Sequence, residues 1–514
     1  MTKLYHTRAV NKIDSLFLGI VLFATASLQA EDVTINKGLY RATYETLSLP
    51  GNEDMGFLGI NYLLTNEMGF YYGLGVYGSI TGERGGFFTG GLELGYQHNL
   101  FKTILLDVGL FGGGGGGGAA PQGGGLMLRP HAGLLYDASS WRLGLAYSKV
   151  KFPNGEIDSD QISLQLEMPF ETVSAETKDS KGLDKALRSY SHQYDFGWID
   201  HYFAATFERY FPLSGTKDTS GEEDLESISL IGFEYGSYLN KRWFGFLEAA
   251  GAMNGGAGGY GEVLGGLGYD YAFNQKLGVK AKVSLGSAGG GRVDTGGGFV
   301  YKAYIGAYYK PIKELTINAE TGYMDAPDGS FSAQIVKLNL AYSLTFLGIG
   351  RNIRDVDTYK DATTGEWNIR IVNQTYLPSD TIRYNKEDNA VQLIGLKIDR
   401  YINNHFYVTG QAYGAYSGDV GGYASGLVGL GYRTPRFFET MSLYFELLGG
   451  AGAGGGVASE GGAIIQPMTG INYGITKRVD VQVGIGQIRS LKGTLNTTVA
   501  DIGLVYKFGT IEKR

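Results

Sequence analysis

The feature that most constrains the fold of this chain is a long internal repeat. Gly59, Gly232 and Gly395 hold the same place in three similar segments, at intervals of 173 residues (59 to 232) and 163 residues (232 to 395). Other anchors keep these intervals to within one residue: Tyr96, Tyr269 and Tyr432; Gly133, Gly306 and Gly470; Tyr136, Tyr309 and Tyr473. Composition alone would not preserve such offsets. The sequence therefore predicts three copies of one unit, each far longer than the roughly 20–50 residues of a solenoid repeat.

Alternation of apolar and polar residues predicts that each unit is built from β-strands. Within 276–286, Leu277, Val279 and Val283 share one face, whereas Lys280 and Lys282 share the other. In the first unit eight strands are predicted, at 38–49, 55–65, 68–80, 86–98, 102–112, 124–137, 141–151 and 159–170. Strands of about 9–11 residues with this period are typical of transmembrane barrels. We therefore expect an all-β, antiparallel, up-and-down transmembrane β-barrel fold with about 24 strands.

The way in which these strands close is left open by the sequence. A single 24-stranded barrel lies within the known range of strand numbers, and it is the architecture we expect because bacterial barrels are usually one closed sheet. Three tandem eight-stranded barrels are the alternative, and the long linkers at 171–199 and 347–366 favour it. So wide a single barrel usually needs a plug, and the sequence offers no segment long enough to be one.

The N-terminus has the order of a secretory signal peptide. Lys3, Arg8 and Lys12 precede a short apolar run at 16–23, and small residues lead to Ala30, the expected cleavage site. The chain has no cysteine, so neither disulfides nor a lipoprotein anchor is expected. The predicted organisation is signal peptide (1–30), barrel repeat 1 (31–170), linker (171–199), barrel repeat 2 (200–346), linker (347–366), barrel repeat 3 (367–508) and tail (509–514), with a short helix near 180–189.

Short turns and longer, glycine-rich segments alternate between the predicted strands. The glycine-rich segments at 112–125, 287–298 and 449–462 are interpreted as flexible extracellular loops, and the short turns as periplasmic. With that topology, aromatic residues fall at the lower ends of the even-numbered strands: Tyr96, Tyr136, Phe170, Tyr269, Tyr309, Phe346, Tyr432, Tyr473 and Phe508. Aromatic residues at one depth predict an interfacial girdle.

The segment 501–508 (DIGLVYKF) resembles the β-signal of Gram-negative outer-membrane β-barrel proteins. Gly503, Tyr506 and Phe508 carry the match, and each unit resembles the small eight-stranded members of that class. The resemblance implies export to the Gram-negative outer membrane, contact with its lipid, and insertion by the barrel-assembly machinery. The six-residue tail beyond Phe508 departs from the pattern.

The residues give little sign of catalysis or of a cofactor. A formal charge of −7 disfavours a nucleic-acid partner. No metal-binding or metalloprotease spacing occurs among the histidines of the mature chain: His98, His131, His192, His201 and His405. The glycine run at 112–118 lacks the lysine of a phosphate-binding loop. We expect no cofactor, no metal and no enzyme.

Inward-facing polar residues are the best candidates for function. By strand parity the candidates facing the lumen are Glu93, Asp107, Arg129, His131, Lys280, Lys282, Lys302, Glu446 and Gln466. Such a wall favours a porin-like outer-membrane channel, or an export conduit with a periplasmic partner, for polar solutes or polymers. The alternatives are a non-conducting structural or surface-interaction barrel, and a barrel-embedded lipid-modifying enzyme.

Overall fold

The computed structural model describes residues 33–175, 183–350 and 362–513, in which the chain forms 24 strands and one short helix. The first eight strands are β1 (Val33–Leu49), β2 (Glu53–Thr65), β3 (Phe70–Thr81), β4 (Phe88–Phe101), β5 (Ile104–Gly116), β6 (Leu126–Asp137), β7 (Arg142–Lys151) and β8 (Asp158–Ala175). Helix α1 (Leu183–Tyr190) follows, close to the predicted helix. The predicted signal peptide lies outside the described residues.

The remaining strands form two further sets of eight. The second set is β9 (Phe196–Pro212), β10 (Ile228–Tyr238), β11 (Trp243–Asn254), β12 (Gly261–Ala272), β13 (Leu277–Gly289), β14 (Phe299–Tyr309), β15 (Leu315–Asp325) and β16 (Ser332–Ile349). The third is β17 (Ala362–Tyr376), β18 (Val391–Tyr401), β19 (Phe406–Ser417), β20 (Ala424–Arg433), β21 (Met441–Ala453), β22 (Ala463–Gly474), β23 (Val479–Ser490) and β24 (Asn496–Lys513). No helix in the described ranges is long and apolar enough to cross a membrane.

Each set of eight strands closes on itself. β1 pairs with β8, β9 with β16, and β17 with β24, in every case antiparallel and over at least a dozen residues. The strands thus form barrel 1 (β1–β8), barrel 2 (β9–β16) and barrel 3 (β17–β24), and the expected single 24-stranded barrel is wrong. Local closure gives every first strand a hydrogen-bonded partner, which an edge strand in lipid would lack. Descent of the three barrels from one repeated unit stays a prediction.

The exterior of the barrels is apolar and the interior is polar. Along β16, Val336, Leu338 and Leu340 are each about half exposed, whereas the intervening Lys337 and Asn339 are buried. Residues alternate between faces because successive side chains of a strand point to opposite sides. Outward aliphatic and aromatic side chains and inward charges are the pattern of a barrel surrounded by lipid.

The two ends of the barrels differ, and we name them by their connections. At the turn end, where each barrel begins and ends, nine connections span 66–69, 102–103, 138–141, 239–242, 273–276, 310–314, 402–405, 434–440 and 475–478. At the loop end, twelve connections span 50–52, 82–87, 117–125, 152–157, 213–227, 255–260, 290–298, 326–331, 377–390, 418–423, 454–462 and 491–495. The predicted girdle residues lie toward the turn end of their strands, where Phe170 packs against Tyr40 and Tyr62 with centroid distances of 4.5 and 5.0 Å.

The three barrels contact one another in a cyclic order. The third strand of each barrel meets the fifth strand of another: β3 contacts β13, β11 contacts β21, and β19 contacts β5. These contacts include backbone hydrogen bonds at the loop end, such as Gly85 N to Gly296 O (2.8 Å) and Gly422 N to Gly115 O (3.2 Å). Such head-to-tail contacts close a ring when the rotation between neighbours is near 120°.

Glycine allows the close approach of the barrels at the loop end. A Cβ on Gly114 would lie 2.8 Å from the carbonyl oxygen of Gly414, and one on Gly86 would lie 2.4 Å from the backbone of Gly289. The glycine-rich segments therefore do not match the expected flexible loops. Parts of them extend strands β5, β13 and β21, and others interlock neighbouring barrels through backbone contacts that a side chain would prevent.

At the turn end the barrels meet through the extended ends of their last strands. Gly509 pairs with Ala175, and Glu512 pairs with Phe346. A hydrophobic cluster, here named the junction cluster, fills this meeting point: Val33, Val173, Ala175, Leu183, Leu187, Phe196, Leu347, Ala362 and Ile511. The tail expected after Phe508 is in fact part of β24, because residues through Lys513 continue the pairing with β17.

Candidate functional site: three sealed lumens

The lumen of barrel 1 is crossed by a single guanidinium group. Arg41 on β1 forms ion pairs with Glu93 on β4 (2.7 Å), Asp107 on β5 (2.8 Å) and Glu167 on β8 (2.7 Å), and all four side chains are 0% exposed. Arg41 also makes a cation–π interaction with Tyr71, in which the guanidinium carbon lies 4.7 Å from the ring centroid. Only inward-facing side chains can reach across so many strands, so this layer closes the lumen.

A second layer of barrel 1 lies beside the first. Arg129 forms a buried ion pair with Glu45 (2.7 Å), which also accepts a hydrogen bond from Ser148. His131 lies between the two layers, with Nε2 2.9 Å from Asp107 Oδ2. The hydroxyl group of Tyr71 also contacts His131, at 3.2 Å from Nε2.

In barrel 2, lysines and glutamates form one connected network. Lys337 contacts Glu208 (3.0 Å), Glu234 (2.9 Å) and Glu248 (2.6 Å). The network also includes ion pairs of Lys282 with Glu234 and Glu320, and of Lys302 with Glu208, Glu248 and Glu262. Every side chain in it is at most 3% exposed, so bulk water does not reach these charges.

Lys280 has different surroundings from the other lysines of barrel 2. Its Nζ lies 4.7, 5.2 and 5.5 Å from the ring centroids of Tyr202, Phe244 and Tyr308. No carboxylate within 4.0 Å of it is found among the described ion pairs. The faces of aromatic rings attract a cation electrostatically, so these rings take the place of a counter-ion in direct contact.

Barrel 3 repeats the arrangement with different residues. Arg370 contacts Asp399 and Glu446, each at 2.6 Å, and Lys397 contacts Asp501 at 2.5 Å. Gln466 is completely buried, and neither of its side-chain polar atoms has a hydrogen-bond partner among the described residues.

Apolar layers cover the charged networks on the loop side. Barrel 1 has a buried cluster of Leu47, Leu49, Met55, Phe57, Tyr77, Phe87, Phe111, Ala120, Met127, Val150, Phe152 and Ile157. Barrels 2 and 3 have comparable clusters that include Tyr210 and Phe331, and Tyr376 and Tyr423. Toward the turn end, Leu39, Leu63 and Tyr71 pack together in barrel 1. An eight-stranded barrel is just wide enough for side chains to fill, and these side chains fill it.

The structure buries all nine lumen candidates and joins most of them in networks. Glu93, Asp107 and His131 meet in one layer of barrel 1, with Arg129 beside them. Lys282 and Lys302 share glutamate partners with Lys337, whereas Lys280 and Gln466 stand apart. The sequence-based selection missed the central cations Arg41, Lys337 and Arg370, although strand parity placed each on the inward face.

The walls of barrels 1 and 3 are interrupted beside these networks. The β6–β7 pairing runs from Leu128–Lys151 to His131–Ser148 without pairs at Arg129 and Pro130. The β22–β23 pairing has the same gap at Gln466 and Pro467. Proline has no amide hydrogen to donate, which removes a ladder hydrogen bond. In barrel 2 the equivalent Ala303 keeps its pairing.

The residues that carry the β-signal resemblance lie on β24 at the closing seam of barrel 3. Gly503, Tyr506 and Phe508 pair with Val372, Ile369 and Trp367 of β17. Glycine is required at 503, where a Cβ would lie 2.5 Å from the carbonyl oxygen of Ile371. The described residues contain no cluster of three or more histidine, aspartate or glutamate side chains that could hold a metal ion.

Neither a protein-family model nor a curated protein matches the chain. Similar solved structures include the siderophore receptor PirA from Acinetobacter baumannii, at 10% identity and TM-score 0.27, with 94% of this chain and 81% of that chain covered. The ferric enterobactin receptor of Pseudomonas aeruginosa matches at 9% identity and TM-score 0.28, covering 94% and 82%. OpdQ of Pseudomonas aeruginosa matches at 8% identity and TM-score 0.21, covering 93% and 98%. These are Gram-negative outer-membrane β-barrel proteins, the class that the sequence resembles.

Proposed function

We propose that this chain is an integral outer-membrane scaffold, a ring of three closed barrels that presents a joined, glycine-rich surface at its loop end. Arg41 carries the proposal: one fully buried guanidinium holds carboxylates from three other strands across the lumen. Ions cannot pass such a layer without breaking ion pairs that water does not reach. The equivalent layers around Lys337 and Arg370 support the same conclusion for barrels 2 and 3.

Insertion by the barrel-assembly machinery is part of the proposal. The support is the motif on β24 together with its position at the seam that closes barrel 3. Outward-facing apolar residues along each barrel fit contact with the lipid of the outer membrane.

Planar-bilayer recording tests the scaffold proposal. The purified chain should give no stable single-channel conductance, while a large porin in the same bilayers serves as the positive control. Replacing Arg41 and Arg129 by serine removes the two arginines of the charged layers in barrel 1, and replacing Phe57 and Phe111 by serine opens the apolar layer beside them. The remaining carboxylates would then draw in water, and this fourfold variant should give small cation-selective steps. A stable conductance of the unaltered chain would refute the proposal.

Transport is the second candidate, and the composition of the barrel 2 lumen favours it. Six buried carboxylates (Glu208, Glu234, Glu248, Glu262, Asp270 and Glu320) outnumber four buried lysines (Lys280, Lys282, Lys302 and Lys337). A lumen so rich in charge would hydrate readily if its apolar layers moved apart. A conductance of the unaltered chain that opens only above a threshold membrane potential, and that Lys337→Met alters, would favour this candidate over the scaffold.

A further inference from the structure

The turn end and the loop end of the barrels carry opposite charge. The nine turns contain nine basic residues (Lys102, Lys241, Arg242, Lys276, Lys310, Lys313, Arg436, Lys477 and Arg478) against three acidic ones (Glu67, Glu314 and Glu439), a net charge of +6. The twelve loops contain six lysines and arginines against fourteen aspartates and glutamates, a net charge of −8. In a chain whose formal charge is −7, the basic turns are therefore a local feature of one end.

Exposed apolar side chains accompany the basic charge at the turn end. Every turn carries, within itself or at the strand residue before it, one large apolar side chain that is at least 42% exposed: Met68, Phe101, Trp141, Leu239, Phe273, Ile312, Ile402, Phe438 and Ile475. Phe438 is 84% exposed and Phe101 72%. In water these side chains would cost free energy, since burying a Leu- or Phe-sized side chain is worth about 1.5–3 kcal/mol.

The basic charge of the turns and their exposed apolar side chains together fit contact with a lipid headgroup region. A lipid headgroup region accepts apolar side chains at its acyl boundary and, where its lipids are anionic, attracts lysine and arginine. We infer that six turns bind the phosphate groups of anionic glycerophospholipids in the membrane leaflet at the turn end. These six turns carry all nine basic residues and are named here the basic fringe: 102–103, 239–242, 273–276, 310–314, 434–440 and 475–478. The apolar residue of each turn anchors it in the acyl boundary.

Barrel 2 has the densest part of the basic fringe. Lys241, Arg242, Lys276 and Lys313 are exposed there, and Trp243 beside them is 48% exposed. Barrel 1 has only Lys102 as a basic residue within its turns. The structure therefore predicts that the lipid binds most strongly around barrel 2.

Native mass spectrometry of the detergent-solubilised chain tests this inference. Phosphatidylglycerol should remain bound in preference to phosphatidylcholine at equal concentration. The variant Lys241→Gln, Lys276→Gln, Lys313→Gln should reduce this preference by about tenfold or more, because each basic residue near an anionic lipid surface contributes about fivefold in affinity. The matched control is Lys217→Gln, Lys386→Gln, Lys492→Gln, which removes the same charge from the loop end and should leave the preference unchanged.

A fluorescence measurement separates lipid from other occupants. With Trp141, Trp198 and Trp367 replaced by phenylalanine, Trp243 is the one remaining tryptophan of the chain. Its emission in nanodiscs should shift to shorter wavelength when phosphatidylglycerol replaces phosphatidylcholine, and the turn-end triple variant should abolish the difference. Equal binding of the two lipids, or an equal loss in the loop-end control, would overturn the inference. Tight binding of a periplasmic protein to the fringe with no lipid preference would overturn it in favour of that partner. None of these outcomes depends on whether the lumens conduct.

Discussion

Arg41 Nη1 lies 2.7 Å from Glu93 Oε1 across the first barrel, joining β1 to β4 in a layer that water does not reach. Glu93 was among the residues selected from the sequence, whereas Arg41 was not. Removing one partner of a buried ion pair leaves an uncompensated charge, which costs about 3–5 kcal/mol. Arg41→Ala should therefore lower the free energy of unfolding by that amount, measured by urea titration in detergent micelles.

The control for Arg41 is an exposed cation of barrel 1. Lys151 pairs with Asp158 at 2.8 Å, and the two side chains are 49% and 42% exposed. Lys151→Ala should cost no more than about 1 kcal/mol because solvent screens the pair. Similar losses for the two variants would mean that the buried layer does not hold barrel 1 together.

The lysines of barrel 2 should differ sharply from one another. Lys337→Met removes the cation shared by three glutamates and should destabilise barrel 2 by several kcal/mol. Lys280→Met places an apolar chain among three aromatic rings and should be tolerated, with a change below about 1.5 kcal/mol. The temperature at which the folded barrel loses its distinct migration in an SDS gel would rank the stabilities of the two variants. A lower temperature for Lys280→Met than for Lys337→Met would contradict the assigned contacts.

One loop offers a matched test of the contact between barrels 2 and 3. Gly462 (φ +89°) would place a Cβ 2.4 Å from the carbonyl oxygen of Ala252 in barrel 2, whereas Gly456 (φ +74°) has nothing within 4 Å. Both alanine variants place a side chain at a positive φ, which is strained for a residue other than glycine, but only Gly462→Ala forces the barrels apart.

Crosslinking across the same contact gives the readout. Lys492 donates to Asn254 at 3.0 Å, and the chain has no cysteine of its own, so Asn254→Cys with Lys492→Cys forms a unique crosslinking pair. Gly462→Ala should slow crosslinking by a short bis-maleimide, and Gly456→Ala should not.

Ile511 in the junction cluster should be essential for the turn-end contact. It is 1% exposed, next to Glu512, which pairs with β16. Ile511→Ala should lower the free energy of unfolding by about 2–5 kcal/mol, the usual cost of such a truncation in a packed core. The exposed neighbour Lys513 is the control, and Lys513→Ala should have no measurable effect.

Asp218 gives a pH-dependent prediction at the loop end. Hydrogen bonding from Ser220 and an ion pair with Arg292 hold the pKa of this carboxyl well below its usual range. A depressed pKa in the folded state means that the contact stabilises the loop above the ordinary aspartate pKa of about 3.9 and is lost as the pH falls through the lower, folded value. Arg292→Ala should raise the pKa of Asp218, as followed by carbon NMR of the labelled side chain, and an unchanged pKa would exclude the ion pair in solution.

The strands could be predicted from sequence because each is a local pattern. Alternating residues place side chains on opposite faces, and all strand limits in barrel 1 lie within five residues of those expected. The same parity would have identified Arg41 and Glu45, which alternate with outward residues along β1.

Closure could not be predicted in this way. Whether β8 pairs with β1 or with β9 depends on the curvature of the sheet and on strands that are distant in sequence. The alternation of apolar and polar residues within one strand carries no information about either. The signals in the sequence that favoured three barrels were the long linkers and the lack of a segment long enough to plug one wide barrel. The glycine contacts between barrels could not be predicted for a related reason. Glycine has no side chain, so it contributes nothing to the apolar and polar pattern from which packing partners are inferred.

The ring of third-strand to fifth-strand contacts has a consequence for stoichiometry. Each barrel gives one contact and receives one, so three barrels on one chain satisfy all of these contacts and leave none free to recruit another copy. An assembly of separate subunits would depend on protein concentration and would have to use one identical surface three times. Because the three barrels are on one chain, they are always made in a ratio of one to one to one. Each barrel can therefore have different residues in its lumen: arginine lies at the centre of two barrels and lysine at the centre of the third.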